Sequence, residues 1–358
     1  QTSNQISTPA RTQRQAVRVH PALVETDLVV TVGAAETTAH GGAAALVDAC
    51  GAGTIRAGRS QSLLEPSGSS AWQLATALEA VLASSRPVLG VSLVLDHPRE
   101  TGLYRGYPWD PRSWENVERS PLRTVLNAVP EGLRQRVHAR ARRTLTAVTV
   151  LAGSPSVAHA EALVRGTGVR SVALAAPLDT IVVPLGWEGL QLPREPLTPI
   201  TAAALGLGHA LRLWRNEPPL VEGGTVVLLH PLGRVMGHPA QAPYRALFTA
   251  LRDRPPGRRP GGLEAAAARD RRAIAAYRSG AAPHPRQAFA DWESCVPVLE
   301  RAGRVIVAGC RDAGAARALG LVPSHNASTA LAMADGLAGG GGRTGVLLGP
   351  PYPAVVVG

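Results

Sequence analysis

The acid–base and metal-ligating chemistry open to this 358-residue chain rests on ten histidines, three cysteines and its carboxylates, because the chain contains no lysine. That absence removes the phosphate-loop lysine, the Schiff base, the pyridoxal phosphate anchor and the kinase-type lysine–glutamate pair. One histidine stands apart. His40 lies in the stretch Glu36-Thr37-Thr38-Ala39-His40-Gly41-Gly42, soon after the apolar run Leu28–Val32. Ligands of α/β sheets bind outside the carboxyl ends of the strands, so a histidine in that turn is a candidate general base. It then needs a pKa near the working pH and a reach of about 3 Å to the proton it abstracts.

The other chemistry-bearing residues read as structural. His230 and His238 are eight apart in HPLGRVMGH, with neither HExxH nor CxxC beside them, and suit a surface loop. His325 falls at a helix start capped by Ser324 or Asn326. Cys50, Cys295 and Cys310 make neither a disulfide framework nor a zinc site, so no metal site is expected and a reducing compartment is. Gly58-Arg59-Ser60 and Gly68-Ser69-Ser70 miss the GxSxG spacing of a nucleophile elbow. Gly41-Gly42 and Gly51-Ala52-Gly53 miss GxGxxG, and the glycine run 336–342 follows a helix instead of opening one.

The elements that would position these residues alternate. Leu28–Val32 is β-branched and continuous, the pattern of a strand buried on both faces, and Val88–Leu95 is a second such strand. Between them 71–82 has helical spacing. The aromatic-bearing stretch 96–116, with Tyr104, Tyr107, Trp109 and Trp114, is too long for an ordinary connection. A basic helix is expected over 131–143. Strand Ala147–Gly153 then leads into a helix from Pro155, with Ser154 as its cap. Strands are expected at 172–175, 180–183, 225–230, 305–309, 346–348 and 354–357, with helices at 199–214, 263–277, 287–301, 312–319 and 326–337. Such alternation predicts an α/β fold of two domains, with mostly parallel sheets covered by helices and a cleft between the domains. The divisions are a flexible tail over 1–20, one α/β domain over 21–143 and another over 144–358.

Composition sets the remaining bounds. All 37 basic residues are arginine, spread from Arg11 to Arg343, and the net charge is +11. A GC-biased coding composition accounts for that charge without a nucleic-acid partner. No run reaches the roughly 18–20 uncharged apolar residues of a membrane span, and the first twenty residues lack a signal-peptide core. A cytoplasmic protein with no membrane partner is the expectation.

The segment VETDLVVTVGAAETTAHGGAAALVDACGAGTI (Val24–Ile55) resembles the nickel-pincer lactate racemases, whose corresponding region reads approximately I-G-x-x-E-P-H, then A-G-x-S-G-G-x-K, then T-I-x-x-N-H. AGSPSVAHAEALVRG (Ala152–Gly166), DTIVVPLGW (Asp179–Trp187) and VEGGTVVLLHP (Val221–Pro231) extend the resemblance over most of the chain from Val24. It implies two α/β domains, the first of them over 21–143, and a nickel–pincer nucleotide tethered through a lysine thioamide. It also implies paired histidines that serve as acid and base while a 2-hydroxy acid is racemised. The match breaks at the chemistry. Glu36 fits the acidic position, but Thr37 and Thr38 stand where proline and the catalytic histidine belong. The tethering lysine falls at about Ala44 and the nickel-ligand histidine near Arg59, and a guanidinium is no nickel donor. The family's N-terminal portion, with a further catalytic histidine and a substrate-binding arginine, has no counterpart before Leu28.

Three readings follow. The chain is a lactate racemase-like protein without the covalent pincer chemistry that recognises an organic acid or a nucleotide in the cleft through Glu36, Thr38, His40, Arg59 and Trp187. Or it is still an isomerase, a racemase or epimerase of 2-hydroxy acids, with His40 catalytic and its cofactor unknown or held without a covalent bond. Or it is a basic nucleic-acid-binding protein, in which case binding weakens steeply with salt.

Overall fold

The structure, a computed structural model, describes residues 5–6, 17–50, 60–96, 111–121, 125, 128–130, 133, 146–186, 196–234, 236–253, 262–349 and 352–358. Arg59, Trp109, Trp187, the side chain of Trp114 and the arginines of the helix expected over 131–143 lie outside these residues. Two compact units divide the chain: residues 1–60 with 64–171, and residues 61–63 with 172–358. The division falls later than the expected boundary at 143/144, because the strand and helix after residue 146 pack within the first unit.

The first unit is a three-stranded sheet with helices against it. Its strands are β1 (Val29–Ala34), β2 (Val88–Leu95) and β3 (Ala147–Gly153), in that order across the sheet. β1 runs parallel to β2, but β3 runs antiparallel to it, with Leu93 opposite Val150. Three of its helices position the site, α1 (Ala44–Asp48), α2 (Ser70–Ala83) and α3 (Pro155–Arg170); Ala22–Glu25 and Pro111–Arg119 are helical as well. α2 starts where Ser69 Oγ accepts from Trp72 N, and it buries Ala71, Ala75, Leu78, Glu79 and Leu82, a stripe at helical spacing. Leu78 and Leu82 join Val29, Leu46, Val17 and Val19 in one core. Val17 and Val19 are thus core residues, and Val17–Arg18 pairs antiparallel with Gln5–Ile6, so the segment expected as a flexible tail over 1–20 is tied in at its far end.

The expectation of a strand buried on both faces does not hold for Leu28–Val32. Val29 and Thr31 are buried, whereas Val30 and Val32 are 47% and 67% exposed, and Leu89, Val148 and Val150 are exposed with them. α2 and α3 pack on the face that Val29, Thr31 and Val94 share, so β1 alternates as a strand covered on one side does. Ser154 also departs from expectation: it occupies the position before α3, but its side chain makes no capping bond. Glu79 of α2 does this work, its Oε2 accepting from Ser156 N at 2.8 Å and its Oε1 from Ser156 Oγ at 3.2 Å.

The second unit centres on a five-stranded, wholly parallel sheet. In chain order it comprises β4 (Leu178–Pro184), β5 (Leu220–Leu229), β6 (Arg304–Ala308), β7 (Val322–Ser324) and β8 (Thr344–Val346), arranged β7-β6-β5-β4-β8. All four pairings are parallel. Val226, Val227, Leu228, Ile306 and Val307 are fully buried, as the middle strands of a doubly covered sheet should be. Helix α4 (Pro199–Ala203) opens on a Thr198–Thr201 capping box. It continues as a π-helical stretch, Ala204–His209, and a 3₁₀ turn, Ala210–Arg212, in place of the regular helix expected to 214. At the end of this stretch the buried Arg212 guanidinium donates to the carbonyls of Gly208 and Ser294 at 3.3 and 3.2 Å. Helix α5 (Ala242–Arg252) packs on α6 (Gln287–Ser294). The helix expected over 287–301 is broken before Pro297, resuming as Val296–Arg301. Of the two expected caps, Ser324 and Asn326, it is Asn326 that caps the helix Ala327–Leu337, with Oδ1 accepting from Thr329 N at 2.7 Å. Among the described residues no helix is long and apolar enough to cross a membrane.

Candidate functional site

The turn that follows β1 gathers the described site residues. Ala35 N donates to Leu93 O at 2.9 Å, which holds the end of β1 against β2. The chain then folds back on itself: Thr37 and His40 pair as an isolated antiparallel bridge, and Thr37 Oγ1 lies 3.1 Å from His40 Nδ1. Gly41 and Gly42 complete the turn at φ 85° and 50°, a region that favours glycine, and lead into α1. His40 and Glu36 are exposed, while Thr37 and Thr38 are buried. Glu36 Oε1 lies 3.9 Å from the half-buried Arg170 guanidinium, a long contact whose carboxylate is open to solvent and which adds little stability. Asp48, at the end of α1, has its pKa raised by burial, and the charge of His40 opposes that rise.

One residue in this site escaped the sequence reading. His159, on α3, is fully buried, and its Nε2 lies 2.9 Å from the carbonyl of Thr37, 122 residues earlier. A carbonyl only accepts, so Nε2 carries the proton and Nδ1 is left to accept. Ser92 Oγ of β2 stands 3.5 Å from that Nδ1, and the Trp72 ring of α2 stacks on the imidazole with centroids 5.9 Å apart. The turn lies flat on this ring: a Cβ on Gly42 would come within 2.3 Å of His159 Cβ. α3 buries Pro155, Ala158, His159, Ala162, Leu163 and Gly166, and a histidine on such a stripe is the signal that could have found it.

Burial holds the His159 pKa below its usual 6.5, with the Thr37 hydrogen bond opposing. Below 6.5 the unfolded chain therefore binds a proton that the folded state resists. The contribution to stability is complete above 6.5 and declines as pH falls from 6.5 toward the folded pKa. The protection factors of the β1 and β2 amides, with the intrinsic pH dependence of exchange divided out, are expected to fall over that range in the native chain, and their pH slope is expected to flatten in His159→Phe.

A lysine-borne cofactor does not fit this turn. The position that the resemblance assigns to the tether is Ala44, a methyl buried at the start of α1, and no lysine exists elsewhere to form a thioamide. Among the described residues no three His, Cys, Asp or Glu side chains gather to hold a metal ion. Of the remaining expected site residues, Arg59 and Trp187 lie outside the described residues, so Glu36, Thr38 and His40 are the ones placed in one turn.

No family model matches the sequence, and no curated protein matches it. Among solved structures, the chain is similar in fold to the lactate racemase apoprotein from Thermoanaerobacterium thermosaccharolyticum, at a TM-score of 0.52 and 12% identity over 99% of this chain and 68% of that one. A Thermotoga maritima protein gives 0.40 and 10% identity over 88% and 64%. The α/β fold with mostly parallel sheets is therefore lactate racemase-like, on structural grounds.

Proposed function

We propose that this chain binds a small organic acid of the 2-hydroxy acid class at the turn after β1, with His40 as the group that takes and returns a proton. The tie between His40 Nδ1 and Thr37 Oγ1, at the carboxyl end of a strand in a lactate racemase-like fold, carries this reading. With Nδ1–H donating to Thr37, Nε2 presents a lone pair, as a general base requires. Arg59 is the expected partner of the carboxylate, since a planar guanidinium matches it in a two-bond fork. The chemistry runs without a lysine-tethered pincer, for want of the amine.

The test is a titration of the full chain with L- and D-lactate and with longer 2-hydroxy acids, read by heat and by the His40 ring resonances. Saturable binding that weakens about fivefold or more in His40→Ala supports the reading, that being the scale of losing one neutral hydrogen bond. No saturable binding, or equal affinity in the variant, overturns it. Chiral chromatography of the incubated acids then separates an isomerase, which interconverts the enantiomers, from a binding protein, which does not.

A further inference from the structure

We infer that His159 is the positioning residue of the His40 turn, fixing through the Thr37 backbone where the His40 imidazole stands. The inference deepens the reading of that turn as the ligand site and rests on it for its functional consequence.

The observations form a continuous path. Trp72 of α2 stacks on the His159 ring, His159 Nε2–H donates to Thr37 O, and the same residue's Oγ1 holds His40 Nδ1. Thr37 is thus held from both sides, by its carbonyl on a buried imidazole and by its hydroxyl on an exposed one. The turn has few other ways to sit. Gly41 and Gly42 both press on the imidazole, with a Cβ on Gly41 reaching 3.0 Å from His159 Cε1 and one on Gly42 reaching 2.5 Å from His159 Cγ. Two glycines at positive φ would otherwise make this the most compliant part of the chain around β1. The buried ring takes up that freedom by shape, and its Nε2–H takes it up by direction.

A histidine suits this place better than an apolar residue of similar size. The Thr37 carbonyl lies in a buried segment, and a buried acceptor left without a donor costs more than the bond itself returns. Phenylalanine would keep an aromatic ring against Trp72, a slightly larger one, but strand that carbonyl. Glutamine would keep a donor and lose the ring. These two substitutions separate the bond from the packing.

The test uses the full chain in three forms: native, His159→Phe and His159→Gln. In the native protein, ring ¹⁵N spectra are expected to show His159 protonated on Nε2 with that proton slow to exchange; an Nδ1–H tautomer or a rapidly exchanging proton overturns the inference without any variant. In His159→Phe, amide exchange of 36–42 is expected to quicken about fivefold or more, with the His40 ring resonances shifted, while exchange in the paired residues of β2 and β3 stays near native. His159→Gln is expected to restore most of the protection. Unchanged exchange of 36–42 and unshifted His40 resonances in His159→Phe overturn the inference, as does a loss of protection spread evenly over the unit, which marks a merely structural residue. None of these readouts involves a ligand. Failure of 2-hydroxy acids to bind the native chain therefore counts against the proposed function alone, and an undisturbed turn in His159→Phe counts against the positioning role alone.

Discussion

Replacing Gly90 with alanine is expected to cost the first unit about 3 kcal/mol, at the upper end of what one added methyl does in a packed core. Gly90 sits in the middle of β2, opposite Thr31 of β1 and Gly153 of β3. A Cβ built there lies 2.5 Å from Pro155 Cα and 3.1 Å from Pro155 N, so the collision is with backbone and cannot be relieved by a side-chain rotation. Pro155 is the first residue of α3, and its ring leaves φ no room to adjust. Either β2 bends out of its ladder or the start of α3 lifts away. A lifted α3 takes Ser156 from the Glu79 carboxylate and His159 from Thr37. Loss of stability should therefore come with loss of any His40-dependent ligand binding. Hydrogen exchange in urea, read separately for the two units, is the measurement: protection in β1 to β3 is expected to fall while that of β5 and β6 stays native. A change in first-unit stability below about 0.5 kcal/mol, the usual range for an innocuous surface substitution, would show that the contact yields easily.

The second large effect belongs to the other unit. Asp291 on α6 receives two hydrogen bonds, from Tyr244 Oη of α5 at 2.7 Å and from Gln287 Nε2 at 2.8 Å. Burial raises the Asp291 pKa, and the two donors pull against that rise. Tyr244 is fully buried, and burial together with the neighbouring Asp291 carries its hydroxyl pKa far above the usual value. Asp291→Ala leaves a buried hydroxyl and an amide without their acceptor, at about 1–3 kcal/mol for each unmade bond, and opens a small void beside them. A loss of about 3 kcal/mol in the second unit is expected. Tyr244→Phe removes one of the stranded donors, so adding it to Asp291→Ala should cost less than the two changes measured apart. Urea unfolding of the four forms closes the cycle; strict additivity would mean that the Tyr244–Asp291 bond couples nothing.

These two sites differ in how visible they were beforehand. Strands Val88–Leu95 and Ala147–Gly153 begin and end where the apolar runs do, and the Asn326 cap stands at the helix start that the sequence marks. Such features depend on neighbours within a few residues, so local periodicity and side-chain chemistry suffice to read them. The change of helix type after residue 203 was less legible: the stretch ends at Arg212, whose guanidinium reaches the carbonyl of Ser294, 82 residues away.

By itself the sequence determined that the chain alternates strand and helix, that the turn after the first strand holds Glu36, Thr38 and His40, and that no lysine chemistry is open to it. The tertiary structure decided the rest of the site. It turned β3 antiparallel to β2, left Val30 and Val32 exposed, assigned the capping of α3 to Glu79 and placed His159 under the turn. The partners in those last two contacts are 77 and 122 residues apart, and no spacing rule spans such distances. What brings them together is the packing of α2 and α3 on one face of the sheet, where a buried carboxylate needs donors and a buried carbonyl needs one too.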